Sequence, residues 1–184
     1  TIVDDGSVEK AYGSIPFDSE GVPSGRTALV EKGVLKGYMH SLETAALMGV
    51  EPTGNGRAQD FERRVFPRMT NTFFERGDWD PEEMIADTKE GVYAVGMVMG
   101  MEDPGGGGFY VLCDHGYVIE KGEKKRMVRR LAVSGKALEV LRNVDAVGKD
   151  FLLHPGTCGK GEEDAVPVTS GGPHLRTKAL VGGA

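Results

Sequence analysis

The sequence predicts an α+β domain built mainly from antiparallel sheet, with two or three short inserted helices. Three observations carry this expectation. Apolar residues alternate with period two through "VYAVGMVMGM" (92–101) and run continuously through "FYVLCD" (109–114), both strand signatures. Glycine supplies 28 of the 184 residues, which suits many turns between short strands. Helical patterns are few and short, and they interrupt the strands instead of alternating with them, which is the α+β order.

The elements follow along the chain. "RTALVEKGVLKGYMH" (26–40) reads as a hairpin around Lys32-Gly33. "SLETAALMG" (41–49) reads as a helix capped by Ser41, ended by Gly49, with Leu42, Ala45 and Ala46 on one face. "EPTGNGRAQD" (51–60) reads as a polar, glycine-rich loop and "PRMTNTFFERG" (67–77) as a strand. "WDPEEMIADTKEG" (79–91) opens a helix with Asp80 as cap, Pro81 in the first turn and Glu83 completing a capping box. In 92–101, Tyr93, Val95, Met97, Met99 and Met101 share one face, expected to pack in the core. The other face is small enough for a second backbone to approach. "DPGGGG" (103–108) is a turn, 109–135 a set of hairpins, and 135–148 a helix with Ala137, Leu138, Leu141 and Val144 as its apolar stripe. "VPVTSGGPHLRT" and "KALVGG" supply final strands.

The 184 residues suit a single domain, and the start at "TIVDDG", without Met and already strand-like, reads as part of a longer protein. No apolar run approaches the ~18 residues of a membrane span. The net charge of −6 speaks against general nucleic-acid binding. In "EKGEKKRMVRR" (120–130), glutamates interleave the basic residues, as on a solvated hairpin tip. Two cysteines make no disulfide framework, so a reducing cytoplasm is the expected compartment.

Cys113 lies in an apolar run and reads as a buried, inert thiol. Cys158 lies in "HPGTCGKGEED" (154–164), where glycines flank it and Lys160 follows, a setting that reads as an exposed loop with a cation close enough to favour a thiolate. The segment is not a phosphate loop, because Gly156 and Gly159 are too close and Gly161 stands where a magnesium-binding hydroxyl belongs. His40, His115, His154 and His174 form no helical metal motif. His154 and Cys158 are four apart, and two ligands alone do not make a site.

In order, "VDDGS", "DSEGVPSGRTALVEKGVLKGYMHSLETAALMG", "PTGNGRA", "PRMTNTFF", "GVYAVG", "GYVIEKG", "GTCGK", "VPVTSGGPHLRT" and "VGG" resemble the C-terminal domain of the TldD/PmbA family, once called modulators of DNA gyrase. The resemblance spans nearly the whole chain. TldD-like members are zinc metallopeptidases; PmbA-like members lack the metal site. The Gly-Thr-Cys-Gly-Lys segment implies the TldD-like kind, with Cys158 as a zinc ligand beside two histidines of an upstream His-Glu-x-x-x-His helix. That helix is not in these 184 residues, so the resemblance implies half of an active site, inactive alone, whose zinc would activate water for attack on unfolded or linear peptides. It also implies a dimer with a TldD-like or PmbA-like subunit. Peptide bound in extended form would lie along "PRMTNT", with Arg68, Thr70, Asn71 and Thr72 as its wall and Asn55 and Arg57 nearby; the other reading of these six is ordinary strand packing. The family's Gly-Gln before "VPV" is replaced here by "GEEDA". Two further readings stand beside the peptidase: a non-catalytic peptide-holding or assembly domain, and a gyrase modulator touching DNA.

Overall fold

The computed structural model describes residues 1–183. It is α+β, with mostly antiparallel sheet and three short helices among the described residues. In chain order the elements begin with β1 (Ile2–Asp5), β2 (Arg26–Glu31), β3 (Val34–Leu35), α1 (Leu42–Met48), β4 (Gly56–Arg57), β5 (Phe66–Pro67) and β6 (Asn71–Phe74). There follow α2 (Pro81–Ala86), β7 (Glu90–Asp103), β8 (Gly108–Glu120), β9 (Glu123–Arg129), β10 (Leu131–Lys136), α3 (Ala137–Arg142) and β11 (Ala146–Val147). The chain closes with β12 (Leu152–Lys160), β13 (Glu163–Gly172), β14 (Leu175–Arg176) and β15 (Leu180–Gly183).

Two compact units divide these elements. The first takes residues 1–75 and 151–173 and holds a six-stranded sheet in the order β12-β13-β6-β1-β2-β3. Its one parallel pair is β13–β6, where Thr169 faces Asn71. The second takes residues 76–150 and those from 174 onward. In it β8 pairs with β7 along one edge and with β9 and β10 along the other, and β15 adds to β10.

Local chemistry explains why several elements sit where the sequence puts them. Ser41 caps α1 reciprocally: its Oγ accepts from the Thr44 N–H, and Thr44 Oγ1 accepts from the Ser41 N–H. Gly49 closes the helix in the left-handed conformation, φ 66°. Lys32-Gly33 and Lys121-Gly122 both have positive φ at two successive residues, as tight hairpins require. Asp80 caps α2 by accepting from the Glu82 N–H, with Pro81 in the first turn.

Four expectations need correction. The methionine row is not core: Met97, Met99 and Met101 are 70%, 46% and 60% exposed. Gly96 at φ +67° and a register shift between Met97 and Met99 break the simple alternation there. The stripe on α3 is not buried either; α3 has a single pair of turns and none of its residues is sealed. On α1 only Ala45 is buried. Residues 54–57 are fully buried, although their composition reads as an exposed loop. No helix among the described residues is long and apolar enough to cross a membrane.

Candidate functional site

Cys158 stands on β12, not on a loop. This segment tolerates Pro155 and its glycines because β12 is the edge of the sheet, paired only with β13. The register explains the proline. The Thr169 N–H donates to Thr70 O on the β6 side, so the Pro155–Thr169 pair makes no cross-strand bond and Pro155 turns its donorless nitrogen outward. By the same alternation Leu153 and Thr157 point their N–H and C=O groups outward, while Cys158 bonds inward to Val166. The Cys158 side chain is half-buried, with Sγ 3.7 Å from the carbonyl of Gly159.

A buried polar assembly holds this strand from behind. Arg68 is 1% exposed; Nη1 donates to Glu163 Oε2 at 2.6 Å and Nη2 to the carbonyls of Cys158 at 3.2 Å and Glu163 at 3.1 Å. Its Nε is a buried donor without a partner, the one cost of the arrangement. Arg57 donates through Nη1 to Met69 O and through Nη2 to Pro167 O at 2.7 Å. Burial pushes its guanidinium below the ordinary value; the charges of Asp4 and Cys158 oppose that shift, and neighbouring Arg68 adds to it. Lys160, the neighbour in sequence, sends Nζ to Pro67 O at 2.8 Å.

Asp4 is the hub of the other half. It is 1% exposed and its Oδ1 accepts from the Thr70 N–H (2.8 Å) and Thr72 Oγ1 (2.7 Å). Its Oδ2 accepts from Thr70 Oγ1 (2.6 Å) and Asn55 Nδ2 (2.7 Å). Asn71 Nδ2 donates to Asp5 O and Ser14 Oγ, and its Oδ1 accepts from the Gly13 N–H. Of the six residues expected to line a cleft, five are sealed and Thr72 is half-buried, with their polar atoms, Arg68 Nε apart, satisfied inside the unit. Asn71 and Thr72 lie on β6, which has no open edge, since β1 covers one side of it and β13 the other.

The histidines do not converge on Cys158. His154 lies on the same strand, where four residues span about 13 Å, too far to share an ion with a ligand reach near 2 Å. His40 is buried against Thr44, His115 pairs with Asp114, and His174 belongs to the second unit. There Asp150 Oδ2 holds His174 Nδ1 at 2.7 Å, and Nε2 meets the Tyr93 hydroxyl at 2.8 Å. Among the described residues no three His, Cys, Asp or Glu cluster as a metal site. The described residues thus bring no second candidate ligand to Cys158.

Sequence reasoning missed Asp4 and Glu163. A signal for each existed: an acid inside an apolar strand in "TIVDDG", and an acid opening the strand that runs into "VPV".

An α+β domain with a lone edge-strand thiol, anchored by buried arginines, is thus the class that fold and site define. The chain belongs to the PmbA/TldD family: the family's PmbA/TldA metallopeptidase C-terminal domain matches residues 1–183. A metalloprotease of Methanocaldococcus jannaschii is 45% identical over 98% of the chain and 40% of its own length. A zinc metalloprotease TldD homolog of Saccharolobus solfataricus is 36% identical over 91% of the chain and 38% of its own length. The crystal structure of TldE from Thermococcus kodakarensis shares the fold, with a TM-score of 0.79 at 24% identity, over 100% of this chain and 39% of that one. The chain spans about 40% of the length of the curated relatives it matches.

Proposed function

We propose that this chain is the C-terminal domain of a zinc metallopeptidase acting on unfolded or linear peptides, and that it supplies Cys158 as one zinc ligand. The remaining ligands come from outside these 184 residues. Zinc in such a site supplies Lewis acidity and an activated water. This chain's own part is to hold the thiol and to present the substrate. The carrying observation is that Cys158 sits on the sheet's open edge strand, beside the outward main-chain groups of Leu153 and Thr157. A linear peptide pairs with such an edge through its backbone, which suits broad sequence tolerance. Arg68, Thr70, Asn71, Thr72, Asn55 and Arg57 serve this site from behind, by fixing the strands that carry it.

The test is Cys158→Ser and Cys158→Ala in the complete protein. Zinc content and peptide cleavage fall together in both variants while circular dichroism is unchanged. A Cys158→Ala protein that keeps zinc and near-normal turnover overturns the assignment.

A second reading, assembly without catalysis, draws on the exposed Met97, Val98, Met99 and Met101 of β7. That surface suits a TldD-like or PmbA-like partner subunit, and both roles are compatible in one domain.

A further inference from the structure

A hollow of about 450 Å³ opens beside β12, lined by Val8, Ala11, Tyr12, Leu153 and Pro155, with the exposed Glu9–Lys10 pair also at its wall and Thr169 at its floor. It belongs to the first unit and does not include Cys158. Its volume lies within the range of ligand pockets, and most of its wall is apolar. The segment carrying Val8, Ala11 and Tyr12 is held in place: the Gly13 N–H donates to both Asn71 Oδ1 and Thr169 Oγ1 at 3.1 Å. Lys10 sits in the left-handed region at φ 61°.

Strand parity links the hollow to the edge. Side chains alternate between faces, so Leu153, Pro155 and Thr157 lie on one face of β12 and His154, Gly156 and Cys158 on the other. The hollow is on the Leu153–Pro155 face. A peptide paired with the outer edge of β12 sends alternate side chains to the two faces. The residue across from Pro155 is three positions from the residue across from Cys158, about 10 Å along the strand. An odd separation places it on the opposite face from Cys158, which is the face of the hollow.

From this geometry we infer that the hollow is a specificity subsite for one large apolar side chain of the peptide substrate, three residues from the position facing Cys158. The inference rests on the peptide-edge reading above and deepens it. The occupant is a Leu-, Met- or Phe-type side chain on an extended peptide. Two features favour it over other occupants: the hollow abuts the main-chain groups that lack a strand partner among the described residues, and its parity matches an added strand. The domain then reads two things at once, backbone along the edge and one side chain at a fixed distance.

The experiment uses the complete protein and a set of linear Gly/Ser-rich peptides, each with one Leu moved position by position. One position, three to four residues from the cleaved bond, raises kcat/KM by at least about tenfold. Ala11→Trp fills the hollow, and the ratio between the Leu and Gly peptides at that position collapses toward one; circular dichroism of the variant checks its fold. Should cleavage be too slow to score, anisotropy of the same labelled peptides gives the same ratio as affinities. A photocrosslinking phenylalanine in place of Tyr12 captures the peptide through that Leu. A flat profile with cleavage intact and dependent on Cys158 overturns the subsite alone. Cleavage independent of Cys158 overturns the underlying reading instead. Capture of a second subunit at position 12 in place of the peptide also overturns the subsite.

Discussion

Arg68 and Glu163, 95 positions apart in sequence, meet at 2.6 Å with both side chains sealed from solvent. The same guanidinium grips the carbonyl of Cys158. One buried ion pair therefore fixes the strand that carries the candidate ligand, and it does so through the backbone, leaving the thiol free.

Breaking this pair by one side costs far more than removing both. Glu163→Leu or Arg68→Met leaves a buried group without its counter-charge and destabilises by roughly 3–5 kcal/mol. The double change Arg68→Met with Glu163→Leu recovers most of that loss. Urea unfolding of the four proteins measures the cycle; equal losses in the single and double variants contradict it.

Asp4 gathers four hydrogen bonds on one buried carboxylate. Asp4→Ala strands those donors in the interior and costs roughly 3–5 kcal/mol. Asp4→Asn keeps the shape but turns a donor toward donors, so it rescues little. Thermal melting of the two variants reads the difference.

The second unit carries an acid-labile contact. Burial pushes the Asp150 carboxyl up, but its hydrogen bonds from His174 and the imidazolium charge outweigh that and hold it below its ordinary value of 3.8. A depressed carboxylate contributes stability that is complete above the ordinary value and lost as pH falls through the lower native one. The melting temperature of the native protein therefore drops as pH falls below the ordinary value of 3.8 and through the lower native one. In Asp150→Asn this part of the drop disappears and the profile is flatter. Both side chains are over a third exposed, so high salt also weakens the effect.

The two cysteines separate by accessibility. Cys113 is 6% exposed, and burial pushes its thiol above the ordinary value. Cys158 is half-buried at an edge. Iodoacetamide at pH 8 modifies Cys158 first, by about tenfold or more, and peptide mass mapping reads the order. In the complete protein bound zinc protects Cys158 and a chelator removes the protection, while Cys113 stays slow in both.

Much of the fold was legible from local chemistry. Ser41, Gly49, Asp80, Pro81 and Lys32-Gly33 act within a few residues of themselves, and each does what its type dictates. Burial was legible only where pattern and environment agreed. The alternation of Met97, Met99 and Met101 names a strand but not which side of it faces water. The glycine-rich 54–57 segment looks exposed because its burial depends on partners far off, Asp4 and Asp18 among them. Cys158 was singled out by its flanking glycines, yet their reason is the open edge of β12, which needs a sheet order that no local window contains.

That sheet order also sets a timetable for biosynthesis. β6 is paired on one side by β1 early in the chain, but its other side waits for β13. Until residues past 163 leave the ribosome, a nascent chain holds Asn71, Thr72 and Phe73 as a bare strand edge, with Arg68 awaiting its counter-ion. Bare edges recruit other strands, and long loops close late. Translation stalled within 76–150 thus yields a sticky half-sheet, a natural client for chaperones, and the hairpin bearing Cys158 is installed only at the final closure of the unit.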